Sequence, residues 1–489
     1  MQNISLLYAV PEKQSADYSG IMYNLLLDRL ADRLDVNVAR QKAFVETLKR
    51  PCTAEENIRY RQDILKDLTV RREFFSLLYS ASCKIEKQRK AFKEDKAKVY
   101  MLKRQSHETT EAATNQLLLE IGATHLRATL VILAGIHELF GRYSVTAPGL
   151  LSLDRNCALI AESPDYPKAL EVLEQLSNTS DAGNPTYVCE INSQLMLSEC
   201  KILKFSEWQG EAKKSFFSRF TGKAEKAIPF SGAVLSDQET LAGIAAEAYA
   251  NMGGIIEKTL TTLLETVANL RYELMFYDMA MKYIDAVTNL KYPLCYPAAA
   301  QNGTRALKID SLYDLTLILG GENVIPNDVG LDSSKRGILI TGENNSGKTV
   351  YLRSIGTACI FYQAGMPICA KSAEMSVMQS FHSQFAAAEK TDEPELFGRF
   401  EQEVSEVAAM VDEISDNSLV LLNETFQTTS YDEGTDGMIP ILDYLTAKNS
   451  IWIFVSHLKK LIGTMRDNRD VILLQSDADG CDKYKMKEL

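Results

Sequence analysis

At 489 residues, 46% apolar and 24% charged, the chain exceeds one ordinary core and has the composition of a folded protein of roughly two to four domains. The net charge of −12 works against a protein that coats nucleic acid non-specifically, while leaving room for a local basic surface. Nine cysteines without a C-x-x-C pair and five isolated histidines argue against a disulfide or zinc framework and for a reducing, cytoplasmic location. No apolar run approaches bilayer length, and Met1–Ser5 lacks the features of a secretory signal, so no membrane partner is expected.

Taken in order, residues 1 to about 50 carry helical apolar spacing (Tyr23, Leu25, Leu26, Leu30, Leu34) interrupted by turn residues. Pro51-Cys52-Thr53 reads as a helix start, with Thr53 as cap and Glu56 three residues on as its capping-box partner. From there to Leu150 glycine and proline are scarce, and apolar residues recur at helical spacing through Ile64, Leu68, Phe74 and Leu78 and again from Leu117 to Phe140. These are long helices. Within them Lys84 to Arg104 is strongly basic, which a solvated helix face explains.

From Cys157 to Val234 the texture is mixed: Ala169 to Leu176 looks helical, while Thr186 to Ile191 and Cys200 to Phe205 look like strands. Lys213, Lys214 and Arg219 are interleaved with Phe216, Phe217 and Phe220, a composition that grips a nucleic-acid backbone while stacking on bases. It equally suits a surface loop or a protein contact. Leu241 to Leu290 is helical again with Gly253-Gly254 as its weak point, and the two helical stretches around the insert predict an antiparallel stalk closed by Pro293 and Pro297.

After about residue 300, short apolar strands alternate with helices, which predicts a mostly parallel sheet. Gly342-Glu343-Asn344-Asn345-Ser346-Gly347-Lys348-Thr349 satisfies G-x-x-x-x-G-K-[ST] between a predicted strand (Gly337 to Thr341) and a predicted helix (Val350 to Ala364). Backbone N–H groups of such a loop point at a polyphosphate, Lys348 reaches its terminal phosphates, and the Thr349 hydroxyl can ligate Mg²⁺. Ser418 to Glu424 is a buried strand ending in polar residues. Glu424 suits polarising the attacking water, and Asn423 stands where a Mg²⁺-supporting acid is expected, so slow turnover is predicted. Ile451 to His457 is a further core strand, whose terminal imidazole can donate to phosphate or water beside a γ-phosphate.

In these segments the sequence resembles the DNA mismatch-repair MutS family, whose ATPase belongs to the ABC class. Val324-Ile325-Pro326-Asn327-Asp328 is similar to the family's V-P-N-D segment, and Ile340 to Arg353 to its T-G-P-N-x-G-G-K-S-T-x-x-R. Leu421 to Glu424 with Thr428 to Gly434 resembles D-E-x-G-R-G-T-S-x-x-[DE]-G, and Phe454 to His457 resembles F-x-T-H. Arg59 to Leu65 is in keeping with the start of the family's helical core. There are departures: Asn423 replaces the acid before the glutamate, and the signature S-T-F-x-x-E reads Gly398-Arg399-Phe400-Glu401-Gln402-Glu403. No Phe-x-Glu wedge is visible, the chain is expected to begin at the core without mismatch-reading and connector domains, and a C-terminal helix-turn-helix clip looks absent.

The resemblance implies a multidomain protein, a long-helix core and lever followed by an α/β P-loop ABC-type ATPase domain. The expected division is 1–155 helical core and first lever helices, 156–235 small mixed insert, 236–295 returning lever helices and 296–489 ATPase domain. ATP and Mg²⁺ are the implied ligands, with Gly342 to Val350 on the nucleotide, Thr349 and Asn423 on the metal, and Glu424 and His457 at the chemistry. A homodimer through the ATPase domains is also implied, with Gly398, Arg399 and Ser430 approaching the partner's phosphates. The leading expectation is an ATP-driven dimeric clamp on structured or branched DNA that does not read mismatches. An ATP-switched protein acting on a protein or ribonucleoprotein partner is the alternative. A metabolic phosphoryl-transfer enzyme is the weaker third reading, since no second substrate pocket is recognisable.

Overall fold

The computed structural model describes residues 4–12, 18–105, 110–178, 187–191, 197–202, 238–301, 305–385, 399–426, 431–477 and 483–489. The chain divides into two compact units, one of residues 1–5 and 70–271, the other of residues 6–69 and 272–489. Its first helices are α1 (Ser19–Asn24), α2 (Leu27–Leu34), α3 (Val38–Leu48) and α4 (Glu55–Val70). The start of α4 departs from the expected capping box. The Glu12 carboxylate accepts from the Thr53 and Ala54 backbone N–H groups, and the Thr53 hydroxyl donates to it as well. A long-range carboxylate thus satisfies orphan amides that a local cap was expected to serve.

The first unit is built on long helices. Helices α5 (Arg72–Gln105) and α6 (Glu111–Arg142) run antiparallel: Phe74 meets Phe140 at a centroid distance of 5.0 Å, and His125 meets Gln88 and Asp95 further along. Helices α7 (Pro148–Ala161) and α8 (Tyr166–Leu176) follow, then an antiparallel pair of strands, β1 (Tyr187–Ile191) and β2 (Leu197–Ile202), and α9 (Gln238–Thr266). Helix α9 runs parallel to α6, since Asn115 donates to the Ala246 carbonyl while Gly122 faces Ile256; the antiparallel pairing expected of the stalk belongs to α5 and α6. Gly253-Gly254 does not break α9. A β-carbon at Gly253 would lie 3.8 Å from the Leu119 backbone, so small residues there admit close approach, and the break comes instead at 267–269. Helix α6 is, contrary to expectation, long and apolar enough to cross a bilayer by length and composition; half of that stretch is buried in the protein. Part of the basic face of α5 is paired with acids: Lys96 with Glu257, Lys98 with Asp95, and Arg89 and Lys90 with Glu86.

The second unit adds α10 (Leu270–Asn289) and two sheets. The smaller sheet contains β3 (Ala298–Ala299), β4 (Leu307–Leu312), β5 (Asn327–Leu331) and β7 (Ser372–Met375), in the order β3-β7-β4-β5. In β4 and β5 buried and exposed residues alternate, as a sheet with one face on a core requires. Helix α11 (Leu315–Ile318) lies between them in sequence, capped by the Asp314 carboxylate on the Leu317 N–H. The larger sheet orders β12 (Met486–Glu488), β11 (Val471–Ser476), β6 (Gly337–Gly342), β10 (Ile451–Val455), β9 (Ser418–Asn423) and β8 (Ser380–Phe385). All are parallel except β12. Every residue of β9 and β10 is buried, which is the texture of central parallel strands covered on both faces.

The helices α12 (Lys348–Gln363), α13 (Arg399–Glu413), α14 (Tyr431–Ala447) and α15 (Lys459–Met465) serve this sheet. Helix α12 is buried along nearly its whole length, and Gly356 makes that possible: a β-carbon there would lie 2.6 Å from Leu25 and Leu421 side-chain atoms. A β-carbon at Gly337 would lie 2.1 Å from the Trp452 ring, so glycine there lets the largest buried side chain pack across β6. The far end of α12 is tied to the start of α4 by Gln363, whose amide donates to the Cys52 carbonyl and whose carbonyl accepts from Cys52 N–H.

Candidate functional site

Strand order places three loops side by side. β10 sits between β6 and β9, and all three point the same way, so the segments following them emerge together at the carboxyl edge of the sheet. That edge is where parallel sheets place ligands.

The segment after β6 is the phosphate-type loop. Gly342 (φ 133°), Asn345 (φ 61°) and Gly347 (φ 88°) give it its path, and a β-carbon at Gly342 would lie 2.2 Å from the Ser476 carbonyl on β11. Gly347 is the residue ahead of α12, whose first N–H groups and dipole open toward the loop. Lys348 is 4% exposed, and its ammonium donates to the Gly342 carbonyl at 2.9 Å and to the Glu343 carbonyl at 2.5 Å. Burial pushes this ammonium below its ordinary range and Glu424 pulls it part of the way back. The buried Ser346 hydroxyl is shared with Ser476.

The segment after β9 carries Asn423 and Glu424. The Thr349 hydroxyl donates to the Asn423 side-chain oxygen at 3.0 Å, joining the first turn of α12 to the end of β9. Both are neutral oxygen ligands, a set that suits Mg²⁺ sharing a site with phosphate oxygens and water. Glu424 (φ 59°) and Phe426 (φ 63°) are both left-handed, which is unusual for such side chains. After β10, His457 places Nε2 3.6 Å from Glu424 Oε1, with no hydrogen-bond partner on that nitrogen. Burial first, then Lys348, hold the imidazole below its ordinary pKa, and Glu424 opposes them, so the ring is neutral at pH 7.

Lys348, Thr349 and Glu424 line a cleft of about 670 Å³, which suits a nucleotide-sized ligand; Asn423 and His457 stand behind that lining, through Thr349 and Glu424. The cleft's lining runs from Asn344 to Tyr351 with Glu424, and includes Leu312, Leu317, Glu322 to Ile325, Asn327 and Tyr484. Tyr484 was not singled out in the sequence. Its own backbone is left-handed (φ 65°) and its ring lies beside Gly347. Asn327 holds it there, donating to the Tyr484 carbonyl and accepting from Met486 N–H, so a side-chain amide extends the sheet edge by one ladder step. Asp314 was also missed; burial pushes its carboxyl up while the Leu317 N–H and the Ser354 hydroxyl oppose the shift.

The structure therefore brings Lys348, Thr349, Asn423, Glu424 and His457 together. Gly398 and Ser430 lie outside the described residues, as do Lys213, Lys214 and Arg219; Arg399 is the first residue of α13. Among the described residues no group of three or more histidines, cysteines and acids could hold a metal ion.

The model of MutS domain V matches residues 338–486. DNA mismatch repair protein msh3 of Emericella nidulans is 31% identical over 142 residues, 29% of this chain and 13% of that protein. Endonuclease MutS2 of Shouchella clausii is 25% identical over 229 residues, 46% of this chain and 28% of that protein. DNA mismatch repair protein MutS of Prochlorococcus marinus is 28% identical over 155 residues, 32% of this chain and 17% of that protein. The match thus spans a minor part of each relative and lies on the domain that carries the cleft. Over residues 338–486 the chain is similar to domain V of MutS proteins.

Proposed function

We propose that this chain is a MutS-like ATPase of the P-loop ABC type, which binds ATP with Mg²⁺ in the cleft and hydrolyses it to drive a dimeric clamp on nucleic acid. The single observation that carries the reading is the convergence of Lys348, Thr349 and Glu424 on one cleft at the sheet edge, with Asn423 hydrogen-bonded to Thr349. A triphosphate seated on the N-terminus of α12 draws the Lys348 ammonium from the Gly342 and Glu343 carbonyls onto its oxygens. Thr349 and Asn423 would hold Mg²⁺, which would supply charge neutralisation for the triphosphate. Glu424 orients a water for in-line attack on the γ-phosphorus and takes its proton as the bond to the bridging oxygen breaks, leaving ADP and phosphate. Neutral His457, with Nε2 turned to Glu424, fixes the same water or the departing phosphate. Asn423 brings no charge to the metal, so turnover is slow.

The resemblance extends this to two copies, with Gly398, Arg399 and Ser430 facing the partner's phosphates and ATP stabilising the closed pair. Structured or branched DNA is the proposed cargo, gripped in part by Lys213, Lys214 and Arg219. The test is calorimetry with ATP and Mg²⁺, a phosphate-release assay and mass measurement in solution. Binding in the micromolar range, slow hydrolysis and nucleotide-dependent dimerisation are expected; no heat of binding and a monomer at saturating ATP defeat the reading. A protein or ribonucleoprotein partner is favoured by one observation, the pairing of Lys90, Lys96 and Lys98 of α5 with neighbouring acids. Capture with a non-hydrolysable nucleotide separates the two, because the retained species is either nucleic acid or protein.

A further inference from the structure

Helix α13 and the residue just after it present one buried stripe, Glu403, Val407, Met410 and Ile414, at the i, i+4, i+7, i+11 spacing of a core face, while Glu401, Gln402 and Glu406 are exposed. Three of the four are apolar and belong to the cluster that also holds Phe426, Met438 and Leu442. The fourth is a carboxylate, 8% exposed. Burying it there is unfavourable unless the group is engaged, and an apolar residue would suit the stripe better. Its Oε2 accepts a hydrogen bond from the Phe426 N–H at 3.1 Å.

Phe426 closes the turn that begins at Glu424. With left-handed backbone at Glu424 and again at Phe426, this turn is disfavoured for the residues that form it and has to be held from outside. The holds come from separate elements: Glu424 N–H donates to the Val455 carbonyl on β10, the Thr425 hydroxyl donates to the Gln384 side-chain oxygen on β8, and Glu403 takes the Phe426 N–H from α13. Helix α14 presses on the same residue, since a β-carbon at Gly434 would lie 2.9 Å from the Phe426 carbonyl. Glu403 sits in the second turn of its helix, past the positions where a carboxylate acts as an N-terminal cap.

We propose that Glu403 is a positioning residue for hydrolysis, whose carboxylate fixes the Phe426 N–H and with it the left-handed turn that aims Glu424 at the attacking water. The inference rests on the ATPase reading above and adds to it a route between elements. Because α13 begins at Arg399, a displacement of that helix reaches Glu424 through one hydrogen bond. Glu403 is not among the residues that line the cleft; it acts through Glu424.

The experiment measures steady-state hydrolysis and calorimetric binding of a non-hydrolysable ATP analogue for wild type, Glu403→Ala, Glu403→Asp and Glu403→Gln, and repeats the alanine change in a Glu424→Gln background. Glu403→Ala is expected to lower kcat about 10- to 100-fold with KM and analogue affinity within about 2-fold, since misplacing a catalytic group by about an ångström costs that much. Glu403→Gln, whose amide oxygen still accepts, retains kcat within about 3-fold; Glu403→Asp, one methylene short, falls between them. In the Glu424→Gln background the alanine change lowers the residual rate less than about 2-fold, because the group it positions is already disabled. If alanine at 403 does not fold, as lost analogue binding reveals, Glu403→Asp decides. Wild-type kcat in the folded variants, or an equal loss with and without Glu424, overturns the inference alone. A wild-type protein that binds no ATP overturns the ATPase reading and this inference with it.

Discussion

The two loops that meet over Thr349 and Asn423 lie on one sheet edge and are held in opposite ways. The loop after β6 is mostly its own scaffold: Lys348 bonds to carbonyls five and six residues back, and glycine or asparagine occupies each left-handed position. The turn after β9 has glutamate and phenylalanine at its left-handed positions and borrows its support from Val455, Gln384, Glu403 and Gly434. A local device is written in consecutive residues. A borrowed one is spread over some 70 residues of sequence, from β8 to β10. The first therefore needs the sheet for location only, and the second needs it for shape.

The contrast breaks most visibly at Lys348. Lys348→Ala removes the one buried cation of the loop and is expected to weaken ATP binding about 100-fold or more by calorimetry, with the thermal midpoint little changed because the ammonium now bonds only to nearby carbonyls. Glu424→Gln acts on the other side of the division: analogue affinity stays within about 2-fold while kcat falls about 100- to 1,000-fold, the range for loss of a general base. If Glu424→Gln instead weakened binding as much as Lys348→Ala, the assignment of binding to one loop and chemistry to the other would fail.

That division also explains how much could be read beforehand. The loop after β6, the strand before it and the helix after it were legible because spacing within eight residues carried the information. Glu424 and His457 were legible as polar ends of buried strands. The supports of Glu424 were not, although one had a signal: a glutamate on the 403/407/410/414 stripe breaks an otherwise apolar period. Tyr484 and its hold by Asn327 were invisible, since 157 residues separate the partners and nothing local marks either as half of a pair. The cap at α4 failed for the same reason, as Glu12 outbids the neighbouring Glu56 from 41 residues away. The helix pattern was readable, whereas the partner of α6 was not, because period 3.6 gives a buried face without a direction.

Gly434→Ala tests the borrowed turn from its other side. The added β-carbon meets backbone, the Phe426 carbonyl, so the turn or the first part of α14 must shift. We expect kcat down about 10-fold with ATP affinity held within about 2-fold, as misplacement of Glu424 demands. Asn423→Asp sits where the two loops join and gives a smaller change of opposite sense: an added charge beside Thr349 tightens Mg²⁺ dependence and raises the rate about 3- to 10-fold. A hydrolysis rate and Mg²⁺ requirement unchanged by aspartate would remove Asn423 from the metal site.

The finest probe of the comparison is the His457 imidazole, which stands between the loops and feels both with opposite signs. Burial and Lys348 depress its pKa below 6.5, and Glu424 raises it. Titrating its ring proton by NMR, identified by its loss in His457→Asn, should therefore move upward in Lys348→Ala and downward in Glu424→Gln. The sign follows for stability as well. A folded-state value below the unfolded one means that the unfolded chain takes up the proton first as pH falls from about 6.5, so stability drops through that window until the folded protein also protonates. Wild type should lose thermal midpoint between pH 7 and pH 5.5 by slightly more than His457→Asn does. Shifts of the same sign in both variants would mean that the imidazole senses only its burial, and the two loops would then meet at Thr349 and Asn423 alone.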